Sequence, residues 1–409
     1  MPSSPPASST PKTVALRALA ALAAIAILAL TTPNVFPYDF YTYYSAGSLA
    51  NDPGPAAVYD LQALNQRHRE LHTGINHRVG SFYYSPLFLV PAAWLAQFDL
   101  QTAQVLNQAL ILLALGGLFY LVLEPRRPRW LLVLLFVVFV TADPIRIQFV
   151  YQNWTAFFVL LLALALRQTH RGADRSAALF WALAFHLKLY AGLFLVPLFL
   201  VGRRRLALSA LAIFVLLLAL PLPWTGLEAP AAYLSSLAEE AGGSFTVFYN
   251  QISVPASLAR WARPPADWVS SNRPVESLAL RAVIWLSLAA FLFGVWKLRG
   301  DRGHQSLSSQ ASPALALTIP YLLLFVPKMW DHGQLLFLAL FVLAVLPRRL
   351  EAFAAGYLVL SLSYFPLVQY LLEGAIRGQV TPLEFQALLL FYPLLNLLAA
   401  VALLQGRST

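Results

Sequence analysis

The chain has 409 residues, of which 59% are hydrophobic and 11% charged, and its formal net charge is +10. A soluble globular domain carries about 25% charged residues, so this composition excludes an ordinary soluble protein and indicates one embedded in a membrane. The sequence contains no cysteine, which excludes disulfides, thiolate catalysis and metal sites built on cysteine. Lys and Arg occur in short clusters between apolar runs, which positive-inside sorting explains better than nucleic-acid binding.

Apolar runs close to the ~20 residues needed to cross a bilayer recur along the whole chain. Their length, and their lack of alternation between polar and apolar residues, predict helices rather than barrel strands. The predicted fold class is therefore an all-α polytopic membrane protein with about 11 to 13 transmembrane helices. The clearest runs are 14–30, 206–222, 278–296, 353–371 and 385–404.

Two hydrophilic segments, 33–81 and 224–273, are too long to be simple turns between helices. Loops of that size tend to carry function. With residues 1–12 as a disordered cytoplasmic terminus, positive-inside sorting places both segments outside the membrane, where they can meet. Residues 13–409 are then expected to form a single polytopic membrane domain.

A short stretch between two basic clusters, residues 176–201, does not fit a regular crossing. Both clusters are expected to be cytoplasmic, so the stretch predicts two short helices that meet at His186-Leu187-Lys188. Such a break is tolerated where its apex is buried in protein or lines a wet cavity. Lys188 is therefore expected to face a polar pocket within the membrane, because it lies too far from either flank to reach water by snorkelling.

The stretch PYDFYTYY, residues 37–44, surrounds Asp39 with aromatic side chains just beyond the first apolar run. Tyrosine prefers the membrane interface, so an interfacial belt accounts for the tyrosines but not for the carboxylate. Asp39 can serve as a general base or cap the helix that follows. The residues alone leave both interpretations open.

Histidines of the first hydrophilic segment raise a metal hypothesis, since His68 and His72 are four residues apart and Asp60 and His77 lie nearby. No glutamate follows His68 to complete an HExxH motif, and the neighbouring arginines would repel a cation. No metal site is predicted.

Two further polar groups interrupt or follow apolar segments. Gln152 and Asn153 can belong to a site or merely bond neighbouring helices. Asp331 and His332, beside Trp330, can line a sugar or phosphate site or belong to an ordinary loop. Each group is a candidate on these grounds.

An ordered set of short motifs runs through most of the chain. It resembles the GT-C class of integral membrane glycosyltransferases, and specifically glycosyltransferase family 87, the polyprenyl-phosphate-mannose-dependent mannosyltransferase-like group. The motifs are DF at 39–40 with Tyr44 and AG at 46–47, VYD at 58–60, an aromatic re-entry at 82–86, Gln152-Asn153, Lys188 with the arginines at 203–205, YNQIS at 249–253 and WDH at 330–332.

The resemblance implies a GT-C-type bundle with two long extracytoplasmic loops in the plasma (inner) membrane. It implies inverting transfer of a sugar, with mannose expected, from a polyprenyl-phosphate donor to a hydroxyl of a lipid or glycan acceptor on the extracytoplasmic side. Asp39 would be the general base, and Lys188 and His332 would bind the donor phosphate, with no cofactor and no metal. The expected partners are this donor, the acceptor and membrane lipids, with no nucleic acid. The substrate-binding residues implied are Tyr38, Tyr44, Gln152, Asn153, Asn250, Gln251, Trp330 and Asp331.

Two other classes fit the same composition. A polytopic transporter or lipid-linked-sugar flippase would also accommodate a lysine within the membrane, although transporters usually show paired repeats and no repeat is found here. A noncatalytic relative could keep the scaffold as an assembly partner. The presence of Asp39 argues against this last alternative.

Overall fold

The protein is all-helical wherever its structure is described. In that part of the chain the regular elements are α-helices and three short 3₁₀ helices, with no β-strand, which confirms the predicted fold class. The computed structural model describes residues 11–31, 37–72, 80–123, 129–241, 251, 253–261, 263–264, 267, 278–299, 307–326, 335–336, 339, 372–379, 381, 394 and 398. The predicted runs 353–371 and 385–404 lie outside these residues, apart from two isolated positions.

The first half of the chain contributes ten α-helices. Aspartates cap two of them: the side chain of Asp60 accepts from the backbone N–H of Gln62 at the start of α3, and Asp99 accepts from that of Thr102 at the start of α5. The helices are α1 Pro11–Thr31, α2 Tyr38–Asn51, α3 Leu61–Leu71, α4 Leu89–Leu95, α5 Leu100–Val122, α6 Arg129–Thr141, α7 Asp143–Tyr151, α8 Thr155–Arg171, α9 Asp174–Leu187 and α10 Leu195–Leu200.

The described remainder adds six helices, and the 3₁₀ helices lie at Pro55–Tyr59, Pro86–Phe88 and Leu189–Phe194. The helices are α11 Arg204–Ala219, α12 Leu222–Thr225, α13 Glu228–Ala241, α14 Val254–Trp261, α15 Leu278–Arg299 and α16 Leu307–Phe325.

Several helices are long and apolar enough to cross a bilayer. The predicted runs 14–30 and 278–296 fall within single helices of this kind, and 206–222 falls within the span Arg204–Thr225 formed by α11 and α12, so these three predictions are confirmed. The total of 11 to 13 transmembrane helices stays a prediction. The five candidate spans among the described residues are Pro11–Thr31, Leu100–Val122, Arg129–Tyr151, Arg204–Thr225 and Leu278–Lys297.

Helices α8 and α9 form an antiparallel hairpin that packs along α11. Gly172 closes α8 at φ +74°, a left-handed conformation that glycine adopts without steric cost, and α9 starts two residues later. The guanidinium of Arg203 donates to the carbonyl of Thr169 across 2.7 Å and pairs with Asp174, so it ties the start of α11 to the hairpin turn. The start of α8 and the end of α9 consequently lie together at the opposite end of the bundle.

The helix break predicted around Lys188 is confirmed. Helix α9 ends at Leu187, and Lys188 has an extended backbone with φ −143° and ψ 105°. The chain then continues through the 3₁₀ helix Leu189–Phe194 into α10.

Helix α2 is set against α4 by a close backbone approach. A Cβ added to Gly47 would lie 2.0 Å from the carbonyl oxygen of Ala92, so only glycine allows the observed packing. At the end of α2 the Asn51 side chain donates to the carbonyl of Ala93 across 3.0 Å. The close approach at Gly47 fixes the axis of the helix whose first turn carries Asp39.

The two hydrophilic segments pack against each other. Helix α13 of the second segment contacts the 3₁₀ helix Pro55–Tyr59 of the first, and the rings of Tyr59 and Tyr233 lie 5.5 Å apart. The Tyr59 hydroxyl also donates to the carbonyl of Tyr84 across 3.1 Å. The aromatic contacts thus join both segments to the stretch that leads into α4.

Candidate active site

Asp39 lies in the first turn of α2, where the positive end of the helix dipole favours a carboxylate. The helix begins at Tyr38 after Pro37, so the alternative in which Asp39 is the N-cap residue is wrong. Asp60 does act as a cap in the same hydrophilic segment. The Asp39 side chain is instead directed toward another part of the chain.

That other part is Asn153, which lies between α7 and α8. Its side-chain nitrogen Nδ2 donates to Oδ2 of Asp39 across 2.7 Å. Its oxygen Oδ1 accepts from the backbone N–H of Thr155, also across 2.7 Å. Because a backbone N–H can only donate, this second bond fixes which end of the amide faces the carboxylate. Asn153 therefore presents a donor to Asp39 in a set orientation.

The residue before Asn153 has a left-handed backbone conformation, which places Asn153 at this position. Gln152 has φ 55° and ψ 45°, a conformation that costs a residue with a side chain roughly 1–2 kcal/mol. Asn107 of α5 holds it there, since its Nδ2 donates to both the backbone carbonyl and Oε1 of Gln152 at 3.3 and 3.2 Å. Trp154 donates from Nε1 to Oδ1 of Asn107 across 2.9 Å. Strain of this kind persists only when its surroundings enforce it, and it clusters at functional sites.

Tyr43, Tyr84 and Trp154 form an aromatic wall beside the carboxylate. Tyr43 lies one helical turn after Asp39, and its ring stacks on Trp154 at 4.2 Å with an interplanar angle of 26°. The hydroxyls of Tyr43 and Tyr84 are 2.8 Å apart. None of the three is among the substrate-binding residues that the resemblance implies. Tyr43 could have been found from the sequence, because it lies four residues after Asp39 and hence on the same face of a helix.

Lys188 completes the group from the end of α9. Its Nζ lies 5.3 Å from the centre of the Tyr84 ring, within the range of a cation–π contact. The Asp39 carboxylate interacts electrostatically with Tyr43, Tyr84 and Lys188. An acid, an amide and an ammonium group that are far apart in sequence thus converge at one end of the bundle.

The other expected substrate-binding residues are distributed differently. Tyr38 is 39% exposed beside Asp39, whereas the Tyr44 hydroxyl donates to the carbonyl of Phe98 across 2.8 Å. Gln251 is fully buried, and its backbone carbonyl accepts from Arg260 across 2.8 Å. The remaining predicted positions, Asn250, Trp330, Asp331 and His332, lie outside the described residues.

The two histidines of the metal hypothesis, His68 and His72, pack against Tyr41 of α2. His68 and His72 are buried, and their rings contact Tyr41 at 6.0 and 4.4 Å. Within the described residues 37–72 and 80–81 of the first segment, they are not grouped with a third metal-binding side chain. Their contacts with Tyr41 instead attach α3 to α2.

Burial also affects the tyrosines that join the two hydrophilic segments. It raises the pKa of Tyr233 to about 12, and it raises the pKa of Tyr59 well above the ordinary value. Both hydroxyls therefore stay protonated at neutral pH. The contact that joins α13 to the 3₁₀ helix Pro55–Tyr59 is thus uncharged.

The helical spans and the polar group at one end of the bundle define an integral membrane protein with a candidate site for chemistry at its surface. The chain belongs to glycosyltransferase family 87, whose model matches residues 82–327, more than half of its length. None of the curated proteins matches it. The protein is thus a membrane glycosyltransferase, and its partners are a sugar donor, an acceptor and membrane lipids.

The range that matches the family model contains only part of the candidate site. Asn153 and Lys188 lie inside the matched range, whereas Asp39 precedes it. The hydrogen bond from Asn153 joins Asp39 to that range. The candidate site is therefore assembled from the family region together with the segment before it.

Proposed function

We propose that the protein transfers a sugar, with mannose as the first choice, from a polyprenyl-phosphate donor to a hydroxyl group of a lipid or glycan acceptor. The observation that carries the proposal is the convergence of the Asp39 carboxylate with the Lys188 ammonium group beside the Tyr84 ring. Proton removal from an alcohol needs a base, and departure of a phosphate needs a neutralising cation. The two groups supply one each.

In the proposed reaction Asp39 takes the proton of the acceptor hydroxyl as that oxygen attacks the anomeric carbon. The new glycosidic bond forms while the bond from the anomeric carbon to the phosphate oxygen breaks, so the electron pair leaves with the polyprenyl phosphate. Attack from the face opposite the leaving group inverts the anomeric configuration. Lys188, and His332 as expected from the motif, stabilise the negative charge that develops on the phosphate.

Asn153 has a different role in this proposal from the substrate-binding role implied by the resemblance. Its donor bond to Oδ2 orients the Asp39 carboxylate. Gln152 is engaged with Asn107, so it supports this turn. Tyr38, Tyr44 and Gln251, with Asn250, Trp330 and Asp331, are proposed to contact the sugar and the acceptor.

The direction of the bundle supports an extracytoplasmic site in the plasma (inner) membrane. The α8–α9 turn carries Arg171 and Arg175 and is tied to Arg203, so positive-inside sorting assigns this end to the cytoplasm. Helix α8 has 17 residues and is about 25 Å long at 1.5 Å per residue, most of the thickness of a hydrocarbon core. Asn153 and Lys188 lie at its far end, where the head of a lipid-linked donor would project.

The experiment offers polyprenyl-phosphate-mannose and, separately, polyprenyl-phosphate-arabinose to the purified protein with crude lipid acceptors. We expect mannose transfer, with an inverted anomeric configuration in the product. A second arm follows labelled lipid-linked sugar in liposomes that contain the protein and no acceptor. Movement of the label between leaflets without transfer in the first arm would favour a flippase and contradict the proposal.

A further inference from the structure

Two buried residues join the stretch that enters α4 to the end of α9. The backbone N–H of Ser85 donates to the carbonyl of His186 across 3.3 Å, and the Ser85 hydroxyl lies 2.7 Å from Nδ1 of His186. Ser85 is 0% and His186 is 1% exposed. The pair therefore forms a double contact between segments 101 residues apart in sequence, shielded from water.

The second ring nitrogen of His186 determines the direction of these bonds. Nε2 lies 3.0 Å from the backbone carbonyl of Phe214 in α11, and a carbonyl can only accept, so Nε2 carries a proton. In the neutral imidazole Nδ1 is then an acceptor, and the Ser85 hydroxyl donates to it. The imidazole also stacks on the Phe214 ring at 4.3 Å. His186 thus anchors Ser85 to α11 with every polar atom of its ring satisfied.

The residues next to this pair belong to the candidate active site. Tyr84 immediately precedes Ser85, and Lys188 follows His186 by two positions, with its Nζ 5.3 Å from the Tyr84 ring. We propose that Ser85 and His186 are positioning residues that hold the Lys188 ammonium group over Tyr84 and toward Asp39. They thereby set the affinity of the site for the phosphate of the donor and of the product. The inference rests on the proposed function, because it is in that function that Lys188 binds the donor phosphate.

Lys188 needs such support because it is not part of a regular helix. Its backbone is extended between α9 and the following 3₁₀ helix, and a lysine side chain loses considerable rotamer freedom when it is fixed. The contacts that anchor it are made by His186, two residues before Lys188, and by Ser85, one residue before Pro86. Loss of the Ser85 hydroxyl would leave Nδ1 of His186 buried without its donor and free the ring to turn. Of the two bonds, only the one from the backbone of Ser85 to the carbonyl of His186 would then join the two segments, so the position of Lys188 over Tyr84 would be less well fixed.

The test measures binding of geranylgeranyl monophosphate, a lipid phosphate without a sugar, to the purified full-length protein in detergent. We expect Ser85→Ala to weaken binding about tenfold and Lys188→Met to weaken it at least as much. In the Lys188→Met background Ser85→Ala should cost less than twofold further, because the serine acts through the lysine. Equal losses from Ser85→Ala in both backgrounds, or unchanged binding in the single variant, would overturn the inference.

A matched control lies in the last turn of α8, which packs against α9. Thr169 is buried and accepts from Nε1 of Trp181 in α9 across 3.1 Å, so Thr169→Val also removes a buried side-chain hydrogen bond to α9. We expect it to change binding less than twofold. A tenfold loss there would mean that any damage to α9 has the same effect, which would refute a specific role for Ser85.

A second substitution covers the case in which Ser85→Ala does not fold. Ser85→Cys keeps nearly the same size and a weak donor, and we expect about a threefold loss of binding that again disappears in the Lys188→Met background. The phosphate probe separates the two proposals. A protein that binds it through Lys188 and transfers no sugar contradicts the proposed function alone, whereas one that transfers sugar with additive Ser85 and Lys188 effects contradicts this inference alone.

Discussion

The side-chain amide of Asn153 donates to Oδ2 of Asp39 across 2.7 Å, although the two residues are 114 positions apart. The amide cannot turn over without losing the backbone donor of Thr155. One oxygen of the carboxylate is therefore occupied in a fixed direction, which determines where the other oxygen points. In the proposed reaction, in which Asp39 takes a proton, this contact would orient the base.

Replacement of Asn153 by alanine should lower kcat more than it raises the KM of the acceptor. The carboxylate keeps its charge but loses the bond that orients it, and a misplacement of about 1 Å can cost on the order of 100-fold in rate. We expect a loss of roughly 10- to 100-fold, measured by steady-state transfer with the preferred donor.

Asn51→Ala is the matched control, since Asn51 also donates from its side chain but to the carbonyl of Ala93 at the far end of α2. It should retain kcat within about threefold. Equal losses in the two variants would mean that any weakening of α2 is sufficient, and would remove the special role of Asn153.

Asp39→Asn should abolish the general base while preserving size and the ability to accept from Asn153. General base catalysis typically contributes 10²–10⁴-fold, so we expect kcat to fall at least about 100-fold with donor binding nearly intact. Asp60→Asn makes the same chemical change in the same hydrophilic segment. Because asparagine caps helices about as well as aspartate, that variant should remain active. Full turnover by Asp39→Asn would exclude Asp39 as the base.

The sequence predicted the parts of this site that depend on polarity against an apolar background. Asp39 and Lys188 stand out because an ionisable residue is costly near or within a bilayer. The break at Lys188 follows from a segment too short for two crossings. The structure supports it directly, because α9 ends at Leu187. Positions of this kind can be found from composition and length alone.

The sequence did not predict contacts that depend on tertiary distance. Nothing in the local sequence links Asn153 to Asp39 or Ser85 to His186, and hydrogen bonds between segments more than 100 residues apart leave no periodic signal. The sequence assigns Tyr43 to an interfacial belt, because a buried tyrosine and an interfacial one look alike in sequence. Its stacking on Trp154 shows that it belongs to the protein interior.

The ring of Tyr84 should matter more than its hydroxyl. Tyr84→Leu removes the aromatic face under Lys188, and a cation–π contact contributes about 0.5–2 kcal/mol, so the KM for the donor should rise about 2- to 30-fold. Tyr84→Phe keeps that face and loses only the contact with the Tyr43 hydroxyl. Its donor KM should change less than in Tyr84→Leu. Steady-state titration of the donor measures both, and the reverse order would show that Lys188 does not depend on the ring.

Gly47→Ala should displace α2 and with it Asp39. The new Cβ would lie 2.0 Å from the carbonyl oxygen of Ala92, a clash with backbone that a rotamer change cannot relieve. We expect a loss of at least about 1–3 kcal/mol of stability, seen as a lower thermal midpoint, together with reduced transfer.

Gly117→Ala provides the comparison within another helix. There the new Cβ would meet Leu160 Cδ1 at 3.4 Å, an ordinary van der Waals distance, and alanine favours the helix by about 1 kcal/mol. This variant should be as stable as the wild type or more so. If both glycine variants behaved alike, close packing of α2 on α4 would not explain the requirement for Gly47.

Tyr233→Phe should reduce the sensitivity of the fold to alkaline pH. Burial raises the pKa of Tyr233 to about 12 from an ordinary value of 10.0, so the folded state holds the proton more tightly than the unfolded state. The folded state therefore loses stability as pH rises above the unfolded value, and the loss is complete once pH exceeds the folded value. At pH 11 this amounts to roughly 1 kcal/mol. The drop in the thermal midpoint between pH 8 and pH 11, measured in detergent, should thus be smaller in the variant, and an equal or larger drop would show that Tyr233 ionises freely and that the contact of α13 with Tyr59 is open to water.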